Sequence, residues 1–271
     1  MRTFVLAAGL ICLFGPAPAS AEAAQTGPVA VTASPSADHS DLARRFVTVA
    51  GGEEVFINAG IAGIEAALIA QGQCLCTAQR DRLHASLRDV FRASAQVYVA
   101  EMTTFYTTHA RADDLQAALT YYESELGQEY VVVAVDFVLG LLRYALSEGR
   151  TPLPSVPENL DRRHEALAAR MGAAFFARLT PLEREQLSAI NLEGATFTDL
   201  MGRHIAGRLD VPALEAAIAW SETEASRRLE TGTPERAAAE QLATLRAMRA
   251  LDVPAIASVL QDILSETPTY Q

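Results

Sequence analysis

From residue 40 onward, apolar side chains recur at intervals of three and four with hardly an interruption, a period that predicts helix after helix. Ser40 or Asp41 caps a first helix that runs to Val49, where Gly51 and Gly52 end it. A second spans 53–71, with Val55, Ile61, Ile64, Leu68 and Ile69 on its inner side. Thr77 opens a long amphipathic segment, to about Thr108, in which Leu83, Leu87, Phe91, Tyr98 and Met102 keep the period. Asp113 or Asp114 caps a helix over 115–130, and the almost wholly apolar run 130–146 continues it. After the three prolines of 149–159 the pattern resumes at 160–179, where Leu167, Met171, Phe175 and Leu179 follow one another at four-residue steps. Thr180-Pro181, Val211-Pro212 and Thr233-Pro234 each mark a helix start, and 252–264 closes the series. The expected fold is an all-α helical bundle.

One stretch of this pattern occurs twice. LQAALTYYESELGQEY, from Leu115, returns 99 positions on as LEAAIAWSETEASRRL, from Leu214, with no gap needed to align them. The apolar stripe Leu115, Ala118, Leu119, Tyr122 and Leu126 has its counterpart in Leu214, Ala217, Ile218, Ala225 and Leu229, while Tyr121 answers Trp220. The spacing therefore predicts two tandem related helical repeats, 40–148 and 160–271, joined by a Pro-rich linker at 149–159.

Ahead of the first helix the composition changes. Arg2, the apolar run from Phe4 to Phe14 and the small residues Ala19-Ser20-Ala21 have the form of a cleavable secretory signal over 1–21, and the Ala-, Pro- and Ser-rich 22–39 reads as a disordered leader. The apolar run is shorter than the ~20 residues a membrane-spanning helix needs, so the mature chain is expected in the periplasm without an integral membrane segment. All basic side chains of the sequence are Arg, and the full sequence, before the signal with its Arg2 leaves, has a formal charge of -11, which argues against nucleic acid as a partner and against an anionic membrane surface.

Candidate chemistry is sparse. Cys74 and Cys76, two apart, are a possible disulfide in an oxidising compartment; a redox role is the other reading, and a metal site lacks neighbouring ligands. Glu123 with Glu125 and Glu222 with Glu224 point roughly 200° apart on a helix, so neither pair can share a substrate. His164-Glu165 opens like a zinc-protease motif, but position 168 is Ala. No cofactor is implied. The ligand-binding candidates are Tyr121, Tyr122 and Trp220, together with Gly127, a helical glycine that admits a close neighbour or a kink beside a pocket.

Tyr121-Tyr122-Glu123-Ser124-Glu125-Leu126-Gly127-Gln128 resembles the signature of an exported bacterial family described as domain of unknown function 2059: an aromatic pair, then Ser, then Gly-Gln about three residues on. The likeness extends over about residues 80–145; in the second copy the aromatic pair becomes Trp220-Ser221 and the Gly-Gln becomes Ser226-Arg227. It implies an all-helical exported protein without an assigned activity. The functional expectation is a binding or interaction module for a peptide, lipid or partner protein. Its alternatives are a hydrolase-type enzyme whose site is assembled from distant helices, with His109 or His204 meeting a carboxylate, and a purely structural envelope protein.

Overall fold

The computed structural model describes residues 37–73 and 75–265, the side chains of Ala37 and Leu182 excepted. Among these residues there are twelve helices and no strand. The first five are α1 (Ala37–Val49), α2 (Gly52–Ala70), α3 (Thr77–His109), α4 (Ala112–Tyr122) and α5 (Glu125–Leu146). Beyond the Pro-rich segment come α6 (Arg162–Phe176), α7 (Pro181–Ala189), α8 (Gly194–Ala206), α9 (Val211–Glu222), α10 (Glu224–Glu230), α11 (Pro234–Arg249) and α12 (Val253–Ser265). The expected signal segment 1–21, residues 22–36 of the expected leader and Cys74 lie outside the described residues, whereas 37–39, expected in the leader, form the first turn of α1. No helix of the described residues is long and apolar enough to cross a membrane.

The 33 residues of α3 make a rod about 50 Å long, since a helix rises ~1.5 Å per residue. Leu83, Leu87, Phe91, Tyr98, Met102 and Tyr106 turn inward along it at three- and four-residue steps. α1, α2, α11 and α12 all pack on this rod, so the last two helices of the chain close over a helix from its first half. α9 lies against both α5 and α6, and α10 against α4. One continuous apolar cluster results, reaching from Ala43 in α1 to Ile263 in α12. The two halves share a core. In the second half α6 and α8 approach so closely that a Cβ on Gly172 would stand 2.1 Å from the Thr198 carbonyl oxygen, and one on Gly202 2.1 Å from that of Ala168.

The helix expected over 115–146 is in fact two. It stops after Tyr122 and restarts at Glu125, because Ser124 leaves helical geometry (φ -71°, ψ 155°) and caps α5. The linker is equally firm. Arg203 on α8 donates to the carbonyls of Pro157 and Glu158 at 2.8 and 2.9 Å, and His204 Nδ1 lies 2.9 Å from the Ser155 carbonyl oxygen. The prolines are strapped against α8.

Candidate functional site

The two chain breaks are superposable in their bonding. The Ser124 hydroxyl accepts from the Gly127 N–H at 3.1 Å and donates to the Tyr121 carbonyl at 2.6 Å. Ninety-nine positions on, the Thr223 hydroxyl accepts from the Ser226 N–H at 3.1 Å and donates to the Trp220 carbonyl at 2.8 Å. The glutamate before each cap is held by an arginine of the helix that packs beside it: Glu123 by Arg45 of α1 at 2.7 and 2.9 Å, Glu222 by Arg170 of α6 at 2.6 Å. Those arginines stand in Leu42-Ala43-Arg44-Arg45-Phe46 and Leu167-Ala168-Ala169-Arg170-Met171. Gly127 is neither a helix crossing nor a kink beside a pocket. It occupies the first turn of α5, where a Cβ would fall 2.0 Å from the Tyr121 carbonyl oxygen, so its own chain is the close neighbour.

Each break leaves an aromatic side chain at the end of the preceding helix, and these meet at the seam between the halves. Tyr121 stacks on Trp220, with ring centroids 5.4 Å apart and planes at 13°, while Tyr122 meets Trp220 edge-on at 5.8 Å. Phe46 and Tyr106 extend the column beyond Tyr122. Such pairs add ~1 kcal/mol each beyond their buried area. Their polar ends converge on one carboxylate, at Glu230, the last residue of α10. The Trp220 indole N–H donates to Glu230 Oε1 at 2.7 Å, the Tyr122 hydroxyl donates to the same oxygen, and Arg178 pairs with the other. Arg178, in the loop after α6, also donates to the Ser226 hydroxyl at 2.8 Å and to the Ser221 carbonyl. Of the four residues singled out for ligand binding, three therefore belong to one stacked assembly, and Gly127 shapes the turn behind it.

A second polar cluster adjoins the first. Arg236 and Glu240, one turn apart on α11, are both buried and bonded at 2.6 Å; Arg236 also donates to the Leu229 carbonyl at 3.0 Å. With Glu183, Thr180, Gly232 and Ala237 they line a narrow crevice that has no room for a water molecule. Glu183 is the third residue of α7, and its carboxylate accepts from the N–H and hydroxyl of the Thr180 cap at 2.6 and 2.8 Å. Burial pushes the Glu240 carboxyl up to about 7 and moves that of Glu183 upward too. Burial works against the Arg236 charge, but the carboxylates of Glu240, bonded to it, and Glu230 keep the guanidinium protonated.

The remaining candidates are built into the scaffold. His204 is buried, with its Nδ1 on the Ser155 carbonyl and its Nε2 2.8 Å from Arg208; Asp136 stands 3.4 Å from Nε2 and pairs with that same Arg208. Burial and the neighbouring Arg208 lower its pKa, so the ring is neutral and clamps the linker. His109 is exposed, stacked on Phe105 and bonded to that residue's carbonyl within its own helix. Cys76 is exposed and opens α3 as its cap residue; its expected partner Cys74 lies outside the described residues. Among the described residues no three His, Cys, Asp or Glu side chains cluster closely enough to hold a metal ion.

Arg178, Glu230, Arg236 and Glu240 escape a reading of spacing alone. A cue existed for the last two: with Ala243 and Ala247 they fall on the one stripe of α11 that must face inward, where an ion pair is out of place. Arg178 and Glu230 gave none, because their partners come from three other helices. No protein-family model, no curated protein and no solved structure matches the chain.

Proposed function

We propose that this chain is an exported interaction module that binds a protein or peptide partner through the outward face of its two C-terminal helices. The observation that carries the reading is where apolar surface is left uncovered. Among the described residues, five of the seven large hydrophobic side chains exposed to solvent belong to α11 and α12: Leu242, Leu245, Met248, Val253 and Leu264. On α11 they recur every third residue, as a stripe 36–46% exposed, opposite the side that packs on α3. Arg246 and Arg249 flank the stripe, and Arg246 is engaged by Glu101 of α3 at 2.6 Å. A protein partner suits this face better than an anionic lipid surface, given a formal charge of -11. Export is supported by the Arg2, Phe4–Phe14 and Ala19-Ser20-Ala21 arrangement, and by the resemblance carried by Tyr121 to Gln128.

The hydrolase alternative has less support, since both ring nitrogens of His204 are engaged by the scaffold and none of its partners is a side-chain nucleophile. The test is native mass spectrometry of the protein recovered intact from the periplasm, beside a Leu242→Asp/Leu245→Asp variant. The wild type is expected to retain a polypeptide that the variant loses at unchanged melting temperature. A wild-type chain that is monomeric and bare, or a variant that keeps the partner, would remove this reading.

A further inference from the structure

The outer stripe of α11 has a symmetry of its own. Glu235 lies seven residues before Leu242 and Arg249 seven after it. Seven residues are two helical turns to within about 20°, so all three stand on one side of the helix. Leu242 is 46% exposed, and Glu235 and Arg249 are exposed at the two ends. Neither charged side chain has an ion-pair or hydrogen-bond partner among the described residues, whereas Arg246, between them, is already engaged by Glu101. The face carries little of the chain's negative charge: from Pro234 to Leu251 the acids are Glu235 and Glu240, and Glu240 is buried beneath it. Its apolar part is graded, with the small Ala238 and Ala239 before Leu242 and the bulkier Leu245 and Met248 after it.

Resting on the reading of α11 as the binding face, we propose that the partner is a second copy of this chain, its α11 laid antiparallel on the first about a twofold axis at Leu242. That axis sets each Glu235 opposite the partner's Arg249, so two ion pairs close the ends of the helix pair. It also sets Leu245 over the partner's Ala239, large against small, on either side of the two Leu242 side chains. A parallel pair would bring Arg249 against Arg249 and Glu235 against Glu235. An unrelated acidic segment would match Arg249 and leave Glu235 facing a like charge. Two copies with a formal charge of -11 each can meet here because the unpaired charges of the stripe are opposite in sign, while charges farther off are screened beyond about 8 Å at physiological salt. One helix of 16 residues from each side makes less than a standard-size interface, so the dimer is weak, with a Kd of about 10–100 μM.

The experiment is sedimentation equilibrium of the full chain at up to about 500 μM, for the wild type, for Glu235→Arg, for Arg249→Glu, and for the two variants mixed in equal amounts. Both substitutions fall at exposed helix positions, and an unchanged melting temperature checks the fold. The wild type should dimerise. Each variant alone turns both ion pairs into like-charge contacts and should dimerise about tenfold more weakly. The mixture should associate as the wild type does, because one variant is positive at both ends of the helix pair and the other negative at both. A dimer that both variants leave unchanged, or a mixture no stronger than its components, overturns the proposal. A monomer that retains a different polypeptide, lost in Leu242→Asp/Leu245→Asp, overturns it and leaves α11 standing as the binding face; a monomer that retains nothing removes both. Should a variant not fold, amide hydrogen exchange of the wild type decides: protection of α11 that rises with protein concentration supports the pairing, and protection independent of concentration removes it.

Discussion

At Ser124 and at Thr223 the chain makes the same turn, with a hydroxyl cap, a carbonyl behind it and a glutamate anchored by the neighbouring helix. Past the turn the two regions diverge. α5 runs on for 22 residues as a core helix, whereas α10 stops after 7. Position 131 of the first segment is the buried Val131, and the residue 99 positions on is Glu230. Where the first segment continues a hydrophobic helix, the second ends on a carboxylate that gathers Trp220, Tyr122 and Arg178. The chain can then reverse: the Gly232 N–H donates to the Arg178 carbonyl at 2.9 Å, and α11 turns back onto α3. Two segments with one local design thus serve different ends, one building the core and the other tying the halves together.

The largest test writes the first segment's residue into the second. Glu230→Val leaves Arg178 without its countercharge and the Trp220 N–H without its acceptor, both in a largely enclosed site. Removing one partner of a buried charged network costs about 3–5 kcal/mol, so chemical denaturation should show a loss of that order. A loss below ~1 kcal/mol would mean that the carboxylate does not organise the seam. Exchanging the residues three past each cap is the next sharpest comparison. Gly127→Ser should cost about 2 kcal/mol, because its Cβ must displace the Tyr121 carbonyl at 2.0 Å. Ser226→Gly gives up the Arg178 hydrogen bond and gains a flexible residue, for about 1 kcal/mol. Equal losses at the two sites would show that the turns are equally tight.

Much of this architecture is legible in the chain itself. The stripe beginning at Leu115 and the one beginning at Leu214 face inward, and helix starts at Thr180-Pro181 and Thr233-Pro234 fall where Thr caps and Pro occupies the first turn. The break at Ser124 is not legible by hydrophobic period, since Tyr122 and Leu126 remain four apart across it and the stripe runs on. Its mark is local: a hydroxyl residue with glutamate directly after it, at the same register in both segments, Ser124-Glu125 and Thr223-Glu224. The aromatic residues stand out by type, yet what they meet depends on how α4 lies against α9 and α10, which no spacing along one helix encodes. Arg45 and Arg170 are hidden for the same reason, because their shared Leu-Ala-x-Arg setting gains meaning only once Glu123 and Glu222 are seen beside them.

Those two arginines give the smallest effect and the cleanest check that the two turns are equivalent. Both pairs are about half exposed, so each contributes no more than ~0.5 kcal/mol after solvent screening. Arg45 grips Glu123 through three contacts at 2.7–3.2 Å, whereas Arg170 makes one at 2.6 Å. Geometry of the first kind holds a side chain in one orientation, so Arg45→Ala should cost slightly more than Arg170→Ala, by a few tenths of a kcal/mol. Because the arginines share no partner, the double variant should lose the sum of the two. Both losses should shrink as salt is raised, since exposed charges are screened within about 10 Å at 0.1 M. A double variant that loses much more than the sum would show that the turns communicate through the Tyr121–Trp220 stack rather than standing apart.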